Sequence, residues 1–495
     1  MKKIIPILCL FLSGSGYVNA QVQRDLEKEY EDFRKQAVTK YNDFRDQANA
    51  EYAEFMRKAW DWYSGEPAIL APKIPDLPKP PVIIPEEDKD IVPENRPLPF
   101  DEVIPVPVVI EQPKPVVPIP EVPKPQESWF NFVVFGTDCK VRLADENRFN
   151  LKDCKENSIA EAWQRLSGEE YNNLIRDCLE LRIRLNLCDW AYLEMIQQLS
   201  DIFFKKSSNE ATLFAAFLYN QSGYKVRLAR SETNRLYMMV ASQHIIYSMG
   251  YYKIENENFY PLNCEEDGLY ICKIPFPKEQ HLSLNIGKEQ RFTMNVTGKR
   301  NLASKRYPNV KTTIESNRNL INFFNTYPQS HINNDGTTKW QFYANTPLSQ
   351  QIKDALYPSL QTAIKDKSEK DAANILINFV QTAFEYGYDD EIWGEDRPFF
   401  AEETIHYPYS DCEDRAILFS RLVRDLMGLK VVLVYYPGHL ATAVQFNENI
   451  TGDYLMINGN RYLVCDPTYI GANIGLTMPE MDNGKAKVIL LNKPQ

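Results

Sequence analysis

The chain has 495 residues, 44% of them apolar and 25% charged, and a formal net charge of -11. The apolar fraction excludes wholesale disorder, and at about 100–200 residues per domain the length predicts two to four domains. The acidic balance offers no basic face, which excludes nucleic-acid binding as a function class.

Residues 1–20 read as a secretory signal. Lys2 and Lys3 form a basic start, Ile4–Leu12 is apolar but too short to span a bilayer, and Val18-Asn19-Ala20 fits a cleavage site. A periplasmic or secreted protein is expected, with cleavage after Ala20 and no transmembrane segment. Cys139, Cys154, Cys178, Cys188, Cys264, Cys272, Cys412 and Cys465 follow the signal. An oxidising compartment permits disulfides, with Cys264 and Cys272 spaced to close a small loop; buried free thiols are the alternative. No C-x-x-C pair occurs, so zinc-ribbon and thioredoxin readings have no support.

Within 21–64, residues 24–62 predict one long amphipathic helix with an internal repeat. Tyr30, Tyr41 and Tyr52 recur every 11 residues, as do Phe33, Phe44 and Phe55, and Ala37, Ala48 and Ala59. Offsets of 0, +3 and +7 share one helical face, and an 11-residue period is 3.67 residues per turn. Such a stripe calls for a partner: another copy, another protein, or the chain's own surface.

Residues 65–126 hold 18 of the 32 prolines. Runs such as Pro78-Lys79-Pro80-Pro81 form neither helix nor central strand. The stretch predicts an extended polyproline spacer reaching roughly 190 Å at about 3.1 Å per residue. The alternative is strand-like addition of Pro107-Val108-Val109-Ile110 to a folded domain.

From Trp129 the composition turns globular. Residues 127–264 predict an α+β domain, 265–345 a mainly β domain, and 346–495 a second α+β domain with helices at 348–366 and 368–386. That last domain carries the chemistry. Tyr409-Ser410-Asp411-Cys412-Glu413-Asp414 precedes a helix whose Ala416, Phe419, Leu422, Val423 and Leu426 share a face, with Ser410 or Asp411 as cap and Gly428 at the end. Cys412 therefore falls in a first helical turn, where free N–H groups and the dipole favour a thiolate and offer donors to an oxyanion. A strand over Val431–Tyr436 and a Pro437-Gly438 turn lead to His439 at a strand start. A hairpin through Asn458-Gly459 returns the chain to Asp466. Cys412, His439 and Asp466 are spaced 27 and 27. A thiolate attacks a carboxamide carbon, an imidazole moves the proton, and a carboxylate fixes the ring tautomer. Against this stands the plain reading of a buried Cys, a core His and a turn Asp.

Three stretches resemble the transglutaminase-like superfamily: Ser410-Asp411-Cys412-Glu413-Asp414-Arg415-Ala416, Tyr436-Pro437-Gly438-His439 and Cys465-Asp466-Pro467-Thr468, in that order. Pro398-Phe399-Phe400-Ala401-Glu402-Glu403 is similar to the lead-in of bacterial members. The resemblance covers about residues 370–470. It implies a papain-like α+β fold with Cys412 as nucleophile, His439 as base and Asp466 as its orienting partner. It also implies an oxyanion donor upstream, for which Tyr407 and Tyr409 are candidates. The family includes cross-linkers, peptidases, amidases and inactive members.

An earlier segment echoes this one. Ala211-Thr212-Leu213-Phe214 with Gly223-Tyr224-Lys225-Val226 parallels Ala416-Ile417-Leu418-Phe419 with Gly428-Leu429-Lys430-Val431 at an offset of 205. Later, Ile254–Asn263 parallels Ile457–Asp466 at an offset of 203, so Ser207 replaces the Cys, Asn234 or Arg235 the His, and Asn263 the Asp. This predicts an inactive copy within 127–264; two unrelated α+β units are the alternative. His244, His281, His331 and His406 lack metal-ligand spacing. Asp389-Asp390-Glu391 and Glu413-Asp414 read as solvated charge runs rather than a calcium site. No cofactor and no metal are expected. The sequence thus predicts an exported cysteine-dependent acyl-transfer enzyme acting on a protein or peptide, with a cell-envelope component as one candidate substrate. The alternative is a catalytically inactive envelope scaffold.

Overall fold

The computed structural model describes residues 32, 43–71, 80–89, 91–108 and 110–493. The predicted signal at 1–20, and Tyr30, Phe33, Ala37 and Tyr41 of the repeat, lie outside them. The protein is of mixed α+β class, built around two large sheets.

The first sheet runs, edge to edge, Asp61–Ser64, Gly268–Cys272, Val226–Arg230, Leu236–Ala241, Glu257–Pro261 and Tyr252–Ile254. The second runs Arg96–Pro97, Asp453–Ile457, Asn460–Cys465, His439–Gln445, Lys430–Tyr436, Lys487–Leu490 and Glu102–Ile104. Read from opposite ends, the five strands after the first edge strand of each follow one order in sequence and pair antiparallel throughout. In each, a helix packs on the two strands that follow it: Asn209–Gln221 in the first and Cys412–Met427 in the second.

The second unit positions the site. Its helix buries Ala416, Ile417, Leu418, Phe419, Leu422 and Val423. Asp411 is the N-cap, and Gly428 ends the helix at φ 66° in the left-handed region that glycine enters without Cβ strain. Alternate strand residues face opposite ways. Val431, Leu433, Leu440 and Val444 join the core beneath the helix, while Val432, Val434, Ala441 and Ala443 form a separate apolar layer with Leu98. Burial on both faces explains why Lys430–Tyr436 is nearly continuously apolar. Each fully buried Val or Leu contributes roughly 1.5–3 kcal/mol, so the two layers hold this sheet firmly. At the hairpin, Asn458 (φ 49°) and Gly459 (φ 78°) give the two positive φ values of a type I′ turn.

Three expectations need correction. The helix over 43–56 stops short of 62, because Asp61–Ser64 pairs as an edge strand of the first sheet. It docks on its own chain: Tyr52 packs against Trp163 and Phe276 at 5.0 and 5.4 Å, and the Trp163 indole donates to Asn49 Oδ1. Phe44 and Phe55 of the repeat are left exposed.

The proline-rich stretch is a strap rather than a free spacer. Arg96–Pro97 and Glu102–Ile104 add as parallel edge strands to the second sheet, where a missing proline N–H leaves no ladder bond unmade. Strand addition thus occurs upstream of 107–110. Further on, Asn173 grips both the N–H and the C=O of Val122, and Arg182 donates to Pro113 O.

Residues 265–345 are not a mainly β domain. Gly268–Cys272 belongs to the first sheet, and a hairpin of Arg300–Ala303 and Lys311–Ile314 is followed by helices Arg318–Thr326 and Lys339–Asn345. Alternation of short apolar runs resembles strands locally, and packing against the two units decides otherwise.

Candidate functional site

Cys412 opens its helix, and His439 opens the strand that this helix covers. Gly438, at φ 75°, makes the tight turn that returns the chain from Tyr436 to His439. Asp466 directly follows the strand Asn460–Cys465. All three side chains are buried.

His439 Nε2 lies 2.8 Å from Asp466 Oδ2, and Asp466 Oδ1 accepts from the Thr468 amide at 2.9 Å. A carboxylate facing Nε2 selects the tautomer with its proton there, leaving a lone pair on Nδ1. Nδ1 has no hydrogen-bond partner among the described residues. The Tyr436 ring lies roughly parallel to the imidazole, at 25° and 6.2 Å. Cys412 and His439 border one cavity of about 270 Å³. The amide of Leu440, next to His439, points at the Cys412 sulfur and favours its ionised form.

Other groups oppose ionisation. Cys412 Sγ is 3.1 Å from Glu413 Oε2. Burial, and then the charges of Glu413 and Asp411, push the thiol well above its ordinary range. The helix start, expected to favour a thiolate, is surrounded by carboxyl groups that work against it. These acids repel one another in turn. Burial and neighbouring acids raise Asp411, Asp414 and Glu413, and lift Asp389 to about 8. The donor oxygens of Asp389, Asp411 and Glu413 lie within 4.8 Å of one another, the one set among the described residues with the makings of a cation site.

The remaining candidates fall elsewhere. Tyr407 donates to Asn325 and packs on Trp393 and Phe399, and Tyr409 is exposed; neither borders the cavity. His406 sits beside Tyr407. His244 is buried between Ser330 Oγ and the Leu284 amide, His331 lies under Tyr247, and His281 pairs with Glu257. All eight described cysteines are unpaired, so Cys412 is not bonded to Cys465 and no bridge closes the 264–272 loop. Sequence reasoning missed the opposite wall of the cavity: Tyr247, Thr337, Lys339, Trp340 and Asp396. These residues come from distant segments and form no motif.

In the first unit, Ser207, Arg235 and Asn263 border one small cavity of about 50 Å³. Ser207 and Asn263 are the residues that offsets of 205 and 203 align with Cys412 and Asp466, and Arg235 is one of the two residues set against His439.

In comparison with known proteins, no family model, no curated protein and no solved structure matches the chain.

Proposed function

We propose that this protein is a cysteine-dependent acyl-transfer enzyme of transglutaminase-like type. The observation that carries this reading is the state of His439. One ring nitrogen is committed to Asp466, the other has no partner among the described residues, and the ring borders the same cavity as Cys412.

In the proposed reaction Cys412 Sγ forms a bond to the carbonyl carbon of a peptide or carboxamide, and its proton passes to His439 Nδ1. Collapse breaks the C–N bond, and the amine leaves with the proton held at Nδ1. Free N–H groups at the helix start supply donors to the oxyanion. Water then attacks the thioester, His439 takes its proton, and the sulfur departs as the acid is released. Hydrolysis is favoured over cross-linking because water is abundant and an amine acceptor needs its own site.

The first unit is proposed as a degenerate copy, supported by the shared strand order and by the cavity of Ser207, Arg235 and Asn263. It has no thiol or imidazole at those positions, so its role would be to support or recognise. The basic and apolar start of the chain, with its cleavage pattern, supports an exported protein acting on an envelope peptide.

A second reading, a non-catalytic scaffold, is favoured by one observation: the Glu413 carboxyl lies against the sulfur. Release of new amino groups from a peptide pool separates the two. The enzyme reading expects release that Cys412→Ala abolishes; the scaffold reading expects no difference between the two proteins.

A further inference from the structure

The cavity that Cys412 and His439 border has a neighbour. A second cavity, of about 290 Å³, shares two wall residues with it, Tyr247 and Asp396. Tyr247 directly follows the strand Ile245–Ile246, within the 127–264 segment. The first unit therefore supplies part of the wall between the two cavities.

Four more rings border the second cavity: Phe324, Tyr327, Tyr343 and Phe400. Phe400 stacks on Phe324 and tilts against Tyr343, each at 4.5 Å. Among the charged groups of the wall, three carboxyl groups, Glu395, Asp396 and Glu403, face one cation, Arg397. Lys339 engages Asp396 at 3.1 Å and Arg397 engages Glu403 at 2.6 Å. That leaves Glu395, which is exposed, as the wall carboxylate with no cation among the described residues.

The wall also carries unmet polar groups. Tyr327 Oη, Gln329 Oε1 and Arg397 Nη1 are buried without a hydrogen-bond partner among the described residues. Buried polar groups are normally paired, so three such groups around one cavity point to a missing ligand. Two of them can accept and one donates, which a peptide answers with a donor-rich side chain and a backbone carbonyl. The neighbouring packing shows which side chain suits such surroundings. The Arg397 guanidinium lies over the rings of Trp393, Phe399 and Tyr407 at 4.5, 5.0 and 5.4 Å while its Nη2 bonds Glu403. A guanidinium is flat, permanently charged and carries five N–H donors, so it stacks on rings and bonds carboxylates at once; an ammonium is a point charge.

We propose that the second cavity is a specificity subsite for an arginine side chain of the peptide substrate, with the guanidinium among the aromatic rings and donating to Glu395, Gln329 and Tyr327. This rests on the reading above for the substrate being a peptide. The guanidinium stays protonated and attacks no thioester, so the subsite selects the peptide and is no acyl-acceptor site.

The test measures binding rather than turnover. Full-length Cys412→Ala is titrated in low-salt buffer with acetyl-Gly-Gly-Arg-Gly-Gly-amide and with the same peptide carrying citrulline, which keeps the shape without the charge, or lysine. The arginine peptide is expected to bind about tenfold tighter than the citrulline peptide and tighter than the lysine peptide. Glu395→Gln in that background should reduce the preference for arginine about threefold, whereas Glu391→Gln, an exposed acid that does not border the cavity, should leave it unchanged. The proposal is overturned if arginine and citrulline peptides bind alike, if lysine binds more tightly than arginine, or if Glu395→Gln leaves the preference intact. It is equally overturned if Glu391→Gln lowers the preference as much as Glu395→Gln, since the acidity of the whole chain then accounts for it. Selective arginine binding by a native chain that cleaves no peptide would uphold the subsite and sink the acyl-transfer reading alone. Peptide cleavage by the native chain with no preference for arginine in binding would do the reverse.

Discussion

The imidazole of His439 is held by Asp466 at 2.8 Å through Nε2, while its Nδ1 has no partner among the described residues in a ring that is fully enclosed. An unpartnered ring nitrogen in a buried site is costly to keep for stability alone, and an acceptor on a ring that borders the same cavity as a thiol is what the proposed acyl transfer needs. Asp466→Asn keeps the shape but offers Nε2 either end of an amide, so the tautomer is no longer fixed. The expected outcome is a fall of about 10³–10⁴ in kcat with the fold intact, measured on amide hydrolysis and circular dichroism.

Tyr52 tests the docking of the N-terminal helix. It is 3% exposed and touches two aromatic rings, whereas Phe55 is 39% exposed. Tyr52→Ala should cost about 3 kcal/mol in urea unfolding and Phe55→Ala less than about 1 kcal/mol. Equal losses would mean that the aromatic stripe, not the intramolecular contact, sets the stability.

How much of this was legible in the sequence depends on how local each signal is. The Asn458-Gly459 turn sets the hairpin register, and the pairing of Thr442 with Cys465 brings His439 and Asp466 to the same end of the sheet. The helix that presents Cys412 is bounded by Asp411 and Gly428, both readable cap residues. The wall made by Thr337, Lys339, Trp340 and Asp396 was not legible, since it arises from packing between segments far apart in the chain. The burial of Asp389 and Asp411 was hidden for the same reason: an acidic run looks solvated until tertiary contacts enclose it. The prolines argued correctly against helix but did not reveal that edge strands would accept them.

His244 gives the protein an acid-sensitive joint. Its Nε2 accepts from the Leu284 amide and its Nδ1 meets Ser330 Oγ, an arrangement of the neutral ring. Burial, and then the nearby His331, depress it from 6.5 to about 3. The unfolded chain therefore takes up a proton that the folded one refuses. Stability should be full above pH 6.5 and fall as the pH drops toward 3, with a slope approaching about 1.4 kcal/mol per pH unit from this group. Urea titrations from pH 7 to 4 check this, and His244→Gln should flatten the slope.

Glu402 acts in the opposite sense. Ser349 donates to it through both its amide and its hydroxyl, at 2.8 and 2.7 Å, but complete burial wins and raises it from 4.5 to about 7. The folded state holds a proton that the unfolded state releases. This contribution is full below pH 4.5 and lost as the pH rises through about 7. Glu402→Gln, which keeps the acceptor without the charge, should remove that loss, as read by Tm between pH 5 and 8.

In the proposed reaction Cys412 is a nucleophile served by His439. The most direct measurement is the rate of iodoacetamide modification of the native chain, mapped to individual cysteines by mass spectrometry. Modification at Cys412 is expected ahead of the other buried cysteines, slowed at least tenfold by His439→Ala. A native chain in which Cys412 stays unmodified while Cys264, the one described cysteine that is not buried, reacts would contradict it. So would a Cys412 rate that His439→Ala leaves unchanged.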